Sequence, residues 1–385
     1  MARALSAAIF VLVAATQEAN PWTAEAPSYP EYTGRMWDSD WYRTISEQGY
    51  PDGLPRAADG SVPQNAWAFF PLFPALVRWV TATGIGWDLA APTLALLLGA
   101  AGMLVVHQVV ATAVADEALV RGPTAPGVEA VGESWVRRLP LATVAVLATF
   151  ASAPVLQVAY TESLALLLLA TAIWCLQHRH YLPAVPVVLA LGLTRAVALP
   201  LAVAVVAHAV SRWRSADRWR IAAVLAATLV GGALWPAVVA ARTGELWAYT
   251  ETQGAWRGRG EVVVLVPWFD VARWRFGDLG LVLLAAVVAA AVLVVASRTM
   301  RVLGPELQWW TAGYFGYLLV AVEPGTSLVR FALLAFPVAG VLAGWALRRR
   351  SWQVWIAVLL ALGVVGQAGW IGLLWRLVPP AGWPP

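Results

Sequence analysis

In Trp37-Asp38-Ser39-Asp40-Trp41-Tyr42, a carboxylate at Asp38 stands between two indoles. Of all stretches in this chain, it is the one whose residue types and spacing could most directly do chemistry. Two carboxylates are needed where a leaving alcohol must be protonated, as in glycoside hydrolysis. A leaving phosphate requires no proton, so one carboxylate acting as base on an attacking hydroxyl suffices if cations hold the phosphate. The chain carries one outstanding acidic motif of this type. It also carries arginines at the edges of apolar runs or in loops between them, namely Arg195, Arg330, Arg257 and Arg259. An arginine at a membrane edge is costly and is a functional candidate by default. The ordinary alternatives are a water-wetted turn at Arg195 and snorkelling at Arg330. Arg257 and Arg259 sit in Gly254-Ala255-Trp256-Arg257-Gly258-Arg259-Gly260, whose backbone could approach a ligand closely or form a solvated loop.

Around Asp38 the spacing predicts a short helix starting near Trp41, capped by Ser39 or Asp40 and ended by Gly49 with Pro51. Trp41 and Ile45 then share a face that can rest on the membrane, and the Asp38 carboxylate projects over the bilayer surface. Asp40 is either that cap or a second polar group beside the base. Asp38-x-Asp40 also has the form of a divalent-metal motif. Residues two apart on a helix point to different sides, so both could ligate one ion only in extended backbone. No metal is the reading preferred, and no other cofactor is expected. Glu162 follows Thr161 at the start of an apolar run, where it is either first-turn helix chemistry or a contact to a sugar or acceptor hydroxyl. Gln64 closes the first long loop and could bind sugar hydroxyls.

These residues must be positioned by membrane helices. Of 385 residues, 60% are hydrophobic and 12% are charged, where a soluble domain carries roughly 25% charged. That excludes a soluble enzyme and a disordered scaffold. The net charge of +4 comes entirely from arginine on the basic side, since lysine is absent, and it gives no reason to expect nucleic acid. The lone Cys175 allows no disulfide within the chain. The 23 tryptophans suit interfacial belts, with loop indoles available to stack on sugars.

Apolar runs occur at Ala4–Ala19, Leu89–Ala115, Leu139–Val158, Thr161–Gln177, Pro183–Val210, Ile221–Ala241, Leu279–Ala296, Leu303–Val322, Leu328–Leu347 and Trp352–Trp375. The first is either a signal-peptide-like segment or an anchor. Pro183–Val210 reads as a tight hairpin with Arg195 at its tip, or as one long tilted helix. Arginine-rich hinges at Arg179, Arg212–Arg220, Arg298–Arg301 and Arg348–Arg350 are expected on the cytoplasmic side. Parity then requires Ala66–Val80, which is short and holds Pro71 and Pro74, to lie at the interface without crossing. The expected fold is an all-α polytopic membrane protein in one domain over residues 1–385, with about eleven transmembrane helices. Its N-terminus is inside, with long outer loops over residues 20–82 and Arg242–Asp278.

Five patches in order resemble GT-C glycosyltransferases of the PIG-V type, relatives of GPI mannosyltransferase II that also occur in bacteria. They are Trp37-Asp38-x-x-Trp41-Tyr42 with Gly49-Tyr50, Phe69-Phe70-Pro71-Leu72-Phe73-Pro74, Tyr160-Thr161-Glu162-Ser163-Leu164, Leu193-Thr194-Arg195, and Ser327-Leu328-Val329-Arg330-Phe331 with Phe336-Pro337. Their order and spacing are similar to the family's over most of the chain, roughly from Met1 to Leu347. The resemblance implies an inverting mannosyltransferase in the cell membrane, with Asp38 as base and its active site on the extracytoplasmic face. It implies a polyprenyl-phosphate-mannose donor and a glycolipid or lipid-linked glycan acceptor. Tyr160 joins the candidate set with Trp41 and Tyr42. A protein O-mannosyltransferase or another GT-C transferase is the alternative within enzymes. A lipid or sugar transporter or flippase is the alternative outside them, although the chain keeps nearly all its charges at loops and span ends.

Overall fold

The computed structural model describes residues 1–121, 129–257 and 263–378. Helix α1 (Ala2–Ala14) is followed by a short amphipathic helix α2 (Tyr29–Arg35). Its start is fixed locally: the Ser28 N–H and hydroxyl both donate to Glu31 Oε2, at 3.1 and 2.7 Å, forming a capping box. Helix α3 (Asp38–Gln48) carries the acidic motif and ends at Gly49, whose φ of +86° suits a residue without Cβ. Helix α4 (Leu72–Thr81) has ten residues. At 1.5 Å per residue it reaches only about half of a ~30 Å hydrocarbon core. Phe73, Pro74 and Val77 are buried on one side and Trp79 is exposed on the other.

Long helices follow in α5 (Trp87–Arg121) and α6 (Glu129–Thr149). The run expected to continue to Val158 instead leaves the helix, and a buried single-turn helix forms at Ala153–Gln157. Helix α7 (Glu162–Gln177) is buried along much of its length. The next apolar run divides into α8 (Tyr181–Gly192) and α9 (Ala198–Ser211), with Arg195 in the turn between them. Helix α10 (Arg218–Thr243) packs on both. A Cβ on Gly192 would fall 2.3 Å from the Gly231 carbonyl oxygen, so α8 and α10 touch backbone to backbone, as small residues permit in membrane bundles. That contact sets the height of the Arg195 turn, which also accepts the Leu72 N–H through the Leu193 carbonyl at 3.0 Å.

The remaining helices are α11 (Ala248–Trp256), α12 (Val266–Phe276), α13 (Leu279–Val295), α14 (Arg298–Val302), α15 (Pro305–Ala321), α16 (Leu328–Phe331), α17 (Pro337–Leu347) and α18 (Trp352–Gly369). Leu279, Val282, Val287, Val292 and Leu293 of α13 all point outward. An apolar surface of that extent belongs in hydrocarbon.

Among the described residues, four helices are long and apolar enough to cross a membrane, or five if the bent pair Leu328–Leu334 and Pro337–Leu347 counts as one. This is an all-helical chain of membrane type, although fewer helices meet span length than the eleven crossings expected. Helices α1, α7, α8 and α9 are apolar but have 12 to 16 residues. The bent pair corrects the reading of Leu328–Leu347 as one straight span, because the chain turns by 76° between the two arms. The carbonyls freed by that break are satisfied from α15: Tyr314 Oη donates to Phe331 O at 2.8 Å and Trp310 Nε1 donates to Leu334 O at 3.0 Å.

Candidate active site

Asp38 is placed by the residue before it. Trp37 has a φ of +59°, a strained value for a residue with a large side chain. Its indole overdetermines the turn, since the ring is buried and Nε1 donates to the Trp375 carbonyl at 2.7 Å. The helix therefore begins at Asp38 rather than near Trp41. Trp37 is the capping position, and neither Ser39 nor Asp40 caps it. The Asp38 N–H donates to Tyr160 Oη at 3.2 Å, and its carboxylate is turned toward Arg330.

There it meets a charge network assembled from four separate segments. Arg330 Nη1 donates to Asp38 Oδ2 at 2.8 Å, and Arg330 Nε lies 3.3 Å from Glu162 Oε1. Arg195 Nη1 donates to the same Glu162 oxygen at 2.8 Å and to Thr161 Oγ1 at 3.2 Å. Glu162 is wholly buried and the Arg330 side chain is 7% exposed. The guanidinium of Arg330 lies 4.6 Å from the Tyr160 ring centroid, and that of Arg195 lies 4.5 Å from the Phe331 ring centroid. Two positive and two negative groups balance, which is the condition under which a buried network is tolerated. Arg330 is thus a buried bridge and does not snorkel. It is held in place partly by Ser152 Oγ, which donates to the adjacent Val329 carbonyl at 2.8 Å.

Asp38, Arg195 and Arg330 line a cavity of about 340 Å³, together with Tyr42, Thr194, Arg257 and aromatic residues from α11 and α15. Tyr42 Oη lies 3.4 Å from Thr161 Oγ1. Burial, and then the charges of Asp38 and Glu162, push the Tyr42 phenol well above its usual pKa, so it is a neutral hydroxyl at the wall. Arg257 reaches the cavity and donates to the Ala321 carbonyl at 2.9 Å. Arg259 lies outside the described residues.

No family model, curated protein or solved structure matches this chain.

Several expected site residues do not line the cavity. Asp40 points to another side of the first turn of α3, where partial burial raises its carboxyl above the ordinary value. Trp41 stacks on Phe69 with centroids 5.7 Å apart and meets Trp256 edge-on at 5.6 Å. It supports the cavity wall from behind and, with the buried Ile45, faces protein rather than membrane. Gln64 is exposed and stands away from the cavity. Tyr160 and Glu162 underlie the site without opening onto it. Glu162 stands in the first turn of α7, one of the two expected readings, and there it ties the two arginines together.

Residues missed in the sequence include Glu323, Gln253, Tyr249, Tyr314 and Tyr317, all of which line the cavity. Glu323 carried a readable signal, an acid directly after an apolar helix and before Pro324-Gly325. Tyr314 and Tyr317 are three apart within an apolar helix, a spacing that packing produces as readily as binding.

Proposed function

We propose that this chain is an inverting glycosyltransferase of the GT-C kind. It moves a mannosyl residue from a polyprenyl-phosphate donor to a glycolipid or lipid-linked glycan on the extracytoplasmic face. The observation that carries this reading is the Asp38–Arg330–Glu162–Arg195 network beside the cavity. Its members come from the patches that resemble PIG-V-type enzymes. An acceptor hydroxyl attacks the anomeric carbon, Asp38 takes its proton, and the bond from that carbon to the phosphate oxygen breaks. Once Asp38 is neutral, its attraction for Arg330 weakens and Nη1 becomes free to hold the leaving phosphate. Proton uptake and phosphate neutralisation are coupled through one guanidinium, and no general acid is required. Arg195 and Arg257 add positive charge to the same cavity. The proposal retains a bundle of about eleven crossings, with the shorter apolar helices completing it, and places the N-terminus in the cytoplasm.

The test is transfer of radiolabelled mannose from polyprenyl-phosphate mannose by the purified full-length protein, with total membrane lipid as acceptor. Label appearing in a lipid-extractable product supports the reading. Label in protein moves the assignment to a protein O-mannosyltransferase, and no transfer to either overturns it. EDTA is expected to leave the rate unchanged, because Asp38 is paired to Arg330 and Asp40 points elsewhere. A rate lost with EDTA and restored by Mg²⁺ would make Asp38-x-Asp40 a metal site.

Sidedness is tested by single cysteines in a Cys175→Ser background, since Cys175 is buried and expendable as a label site. Ser61→Cys and Gly325→Cys, both at exposed positions, should react with an impermeant maleimide on intact cells. Arg214→Cys and Ser351→Cys, also exposed, should react only after lysis. Labelling of Ser61→Cys and Arg214→Cys from one side would break the proposed topology.

A further inference from the structure

A narrow crevice adjoins the cavity. Arg257, Val322 and Glu323 line both spaces, whereas Asp38 lines the cavity alone. Among the described cavity-lining residues three side-chain polar atoms lack a hydrogen-bond partner; Arg330 Nε at least lies 3.3 Å from Glu162, which leaves one atom each on Glu323 and Trp256. Glu323 Oε1 is shut off from solvent and accepts no hydrogen bond among the described residues. The indole Nε1–H of Trp256, another cavity-lining residue, is equally enclosed and donates to nothing among them. Among the described residues Arg257 makes no ion pair with Glu323, and its guanidinium donates to the Ala321 carbonyl at 2.9 Å. One enclosed acceptor and one enclosed donor both cost desolvation until a ligand supplies their partners.

The ligand chemistry follows from that pair. An apolar ligand would leave both atoms unpaired. A phosphate could accept from Trp256 but would set negative charge against the Glu323 carboxylate. A hydroxyl both donates and accepts, and a sugar offers several hydroxyls on an apolar ring that suits an indole. We propose that Glu323 and Trp256 form a sugar-hydroxyl subsite at the Arg257 end of the cavity, with Glu323 accepting from a sugar hydroxyl and Trp256 Nε1 donating to one. This deepens the glycosyl-transfer reading and rests on it. The sugar is either that of the donor or that of the acceptor, and one experiment separates the two.

Equilibrium binding is measured on the full-length protein in nanodiscs with three probes: a polyprenyl-phosphate mannose, the same polyprenyl phosphate without sugar, and a neutral alkyl α-mannoside. Glu323→Ala and the size-matched Glu323→Gln should weaken at least one sugar-bearing probe by about tenfold and leave the sugar-free phosphate unchanged. Trp256→Phe, which removes the indole donor, should weaken the same probe. Loss confined to the mannosyl phosphate assigns the subsite to the donor sugar, and loss confined to the neutral mannoside assigns it to the acceptor. Equal weakening of all three probes, or no change in any, overturns the subsite. If the wild-type protein binds none of them, the glycosyl-transfer reading fails and the subsite with it. Wild-type binding with indifferent variants removes the subsite alone.

Discussion

Asp38→Asn is expected to lower mannosyl transfer by a factor of about 10²–10⁴, the usual cost of losing a positioned general base. The substitution keeps the shape of the site. The backbone N–H at position 38 still reaches Tyr160 Oη, and an amide oxygen can still accept from Arg330 Nη1. What it removes is the capacity to take a proton, together with one of the two negative charges that balance Arg195 and Arg330. Single-turnover rates on purified protein check the prediction, with thermal melting in detergent as the control for folding. Asp40→Asn, two residues along the helix and outside the cavity, should transfer at close to the wild-type rate. An Asp38→Asn protein as fast as wild type would remove the base from the mechanism, and with it the coupling to Arg330.

Arg330→Ala should be the most damaging single change to the structure around the site. Arg330 is 5% exposed and, among the described residues, is the one cation that contacts both carboxylates, Asp38 through Nη1 and Glu162 through Nε. Its removal leaves Asp38 without its cation and hands Glu162 to Arg195 alone, in surroundings that solvate charge poorly. Breaking a buried pair from one side costs about 3–5 kcal/mol. The melting temperature should fall sharply and transfer should cease. Arg330→Lys should rescue little, since one ammonium cannot span two carboxylates as a planar guanidinium does. Removing an opposite charge as well, in Arg330→Met with Glu162→Gln, should recover stability relative to the single change but not activity. A melting temperature unaffected by Arg330→Ala would show that the network contributes nothing to the fold.

Much of this protein is decided by local composition. Apolar runs of sufficient length become helices whatever surrounds them, because hydrocarbon leaves a backbone no other partner for its N–H and C=O groups. The membrane character, the division of the chain at Arg195 and the shortness of the apolar segment at Leu72–Thr81 were therefore legible from residue types and spacing alone. So were Asp38, Arg195 and Arg330, because an ionisable residue against an apolar run stands out on its own.

Tertiary structure decided what those residues touch. Asp38 and Arg330 are 292 positions apart, and no periodicity encodes their pairing. It depends on the 76° bend after Leu334, which Trp310 and Tyr314 make tolerable by satisfying freed carbonyls. The start of α3 at Asp38 likewise depends on a distant residue, Trp375, whose carbonyl holds the Trp37 indole and so fixes a backbone angle that capping preference does not anticipate. Glu162 read as either first-turn helix chemistry or a sugar contact, and its pairing with two arginines from other segments was not foreseen. Asp40 and Trp41 belong to the motif, and Gln64 to the same long loop, but none of them lines the cavity, since successive residues on a helix or loop face different ways. Hydrophobicity acts residue by residue and survives being read along a line. Ion pairs and cavity walls are properties of juxtaposition, and only the packed bundle determines them.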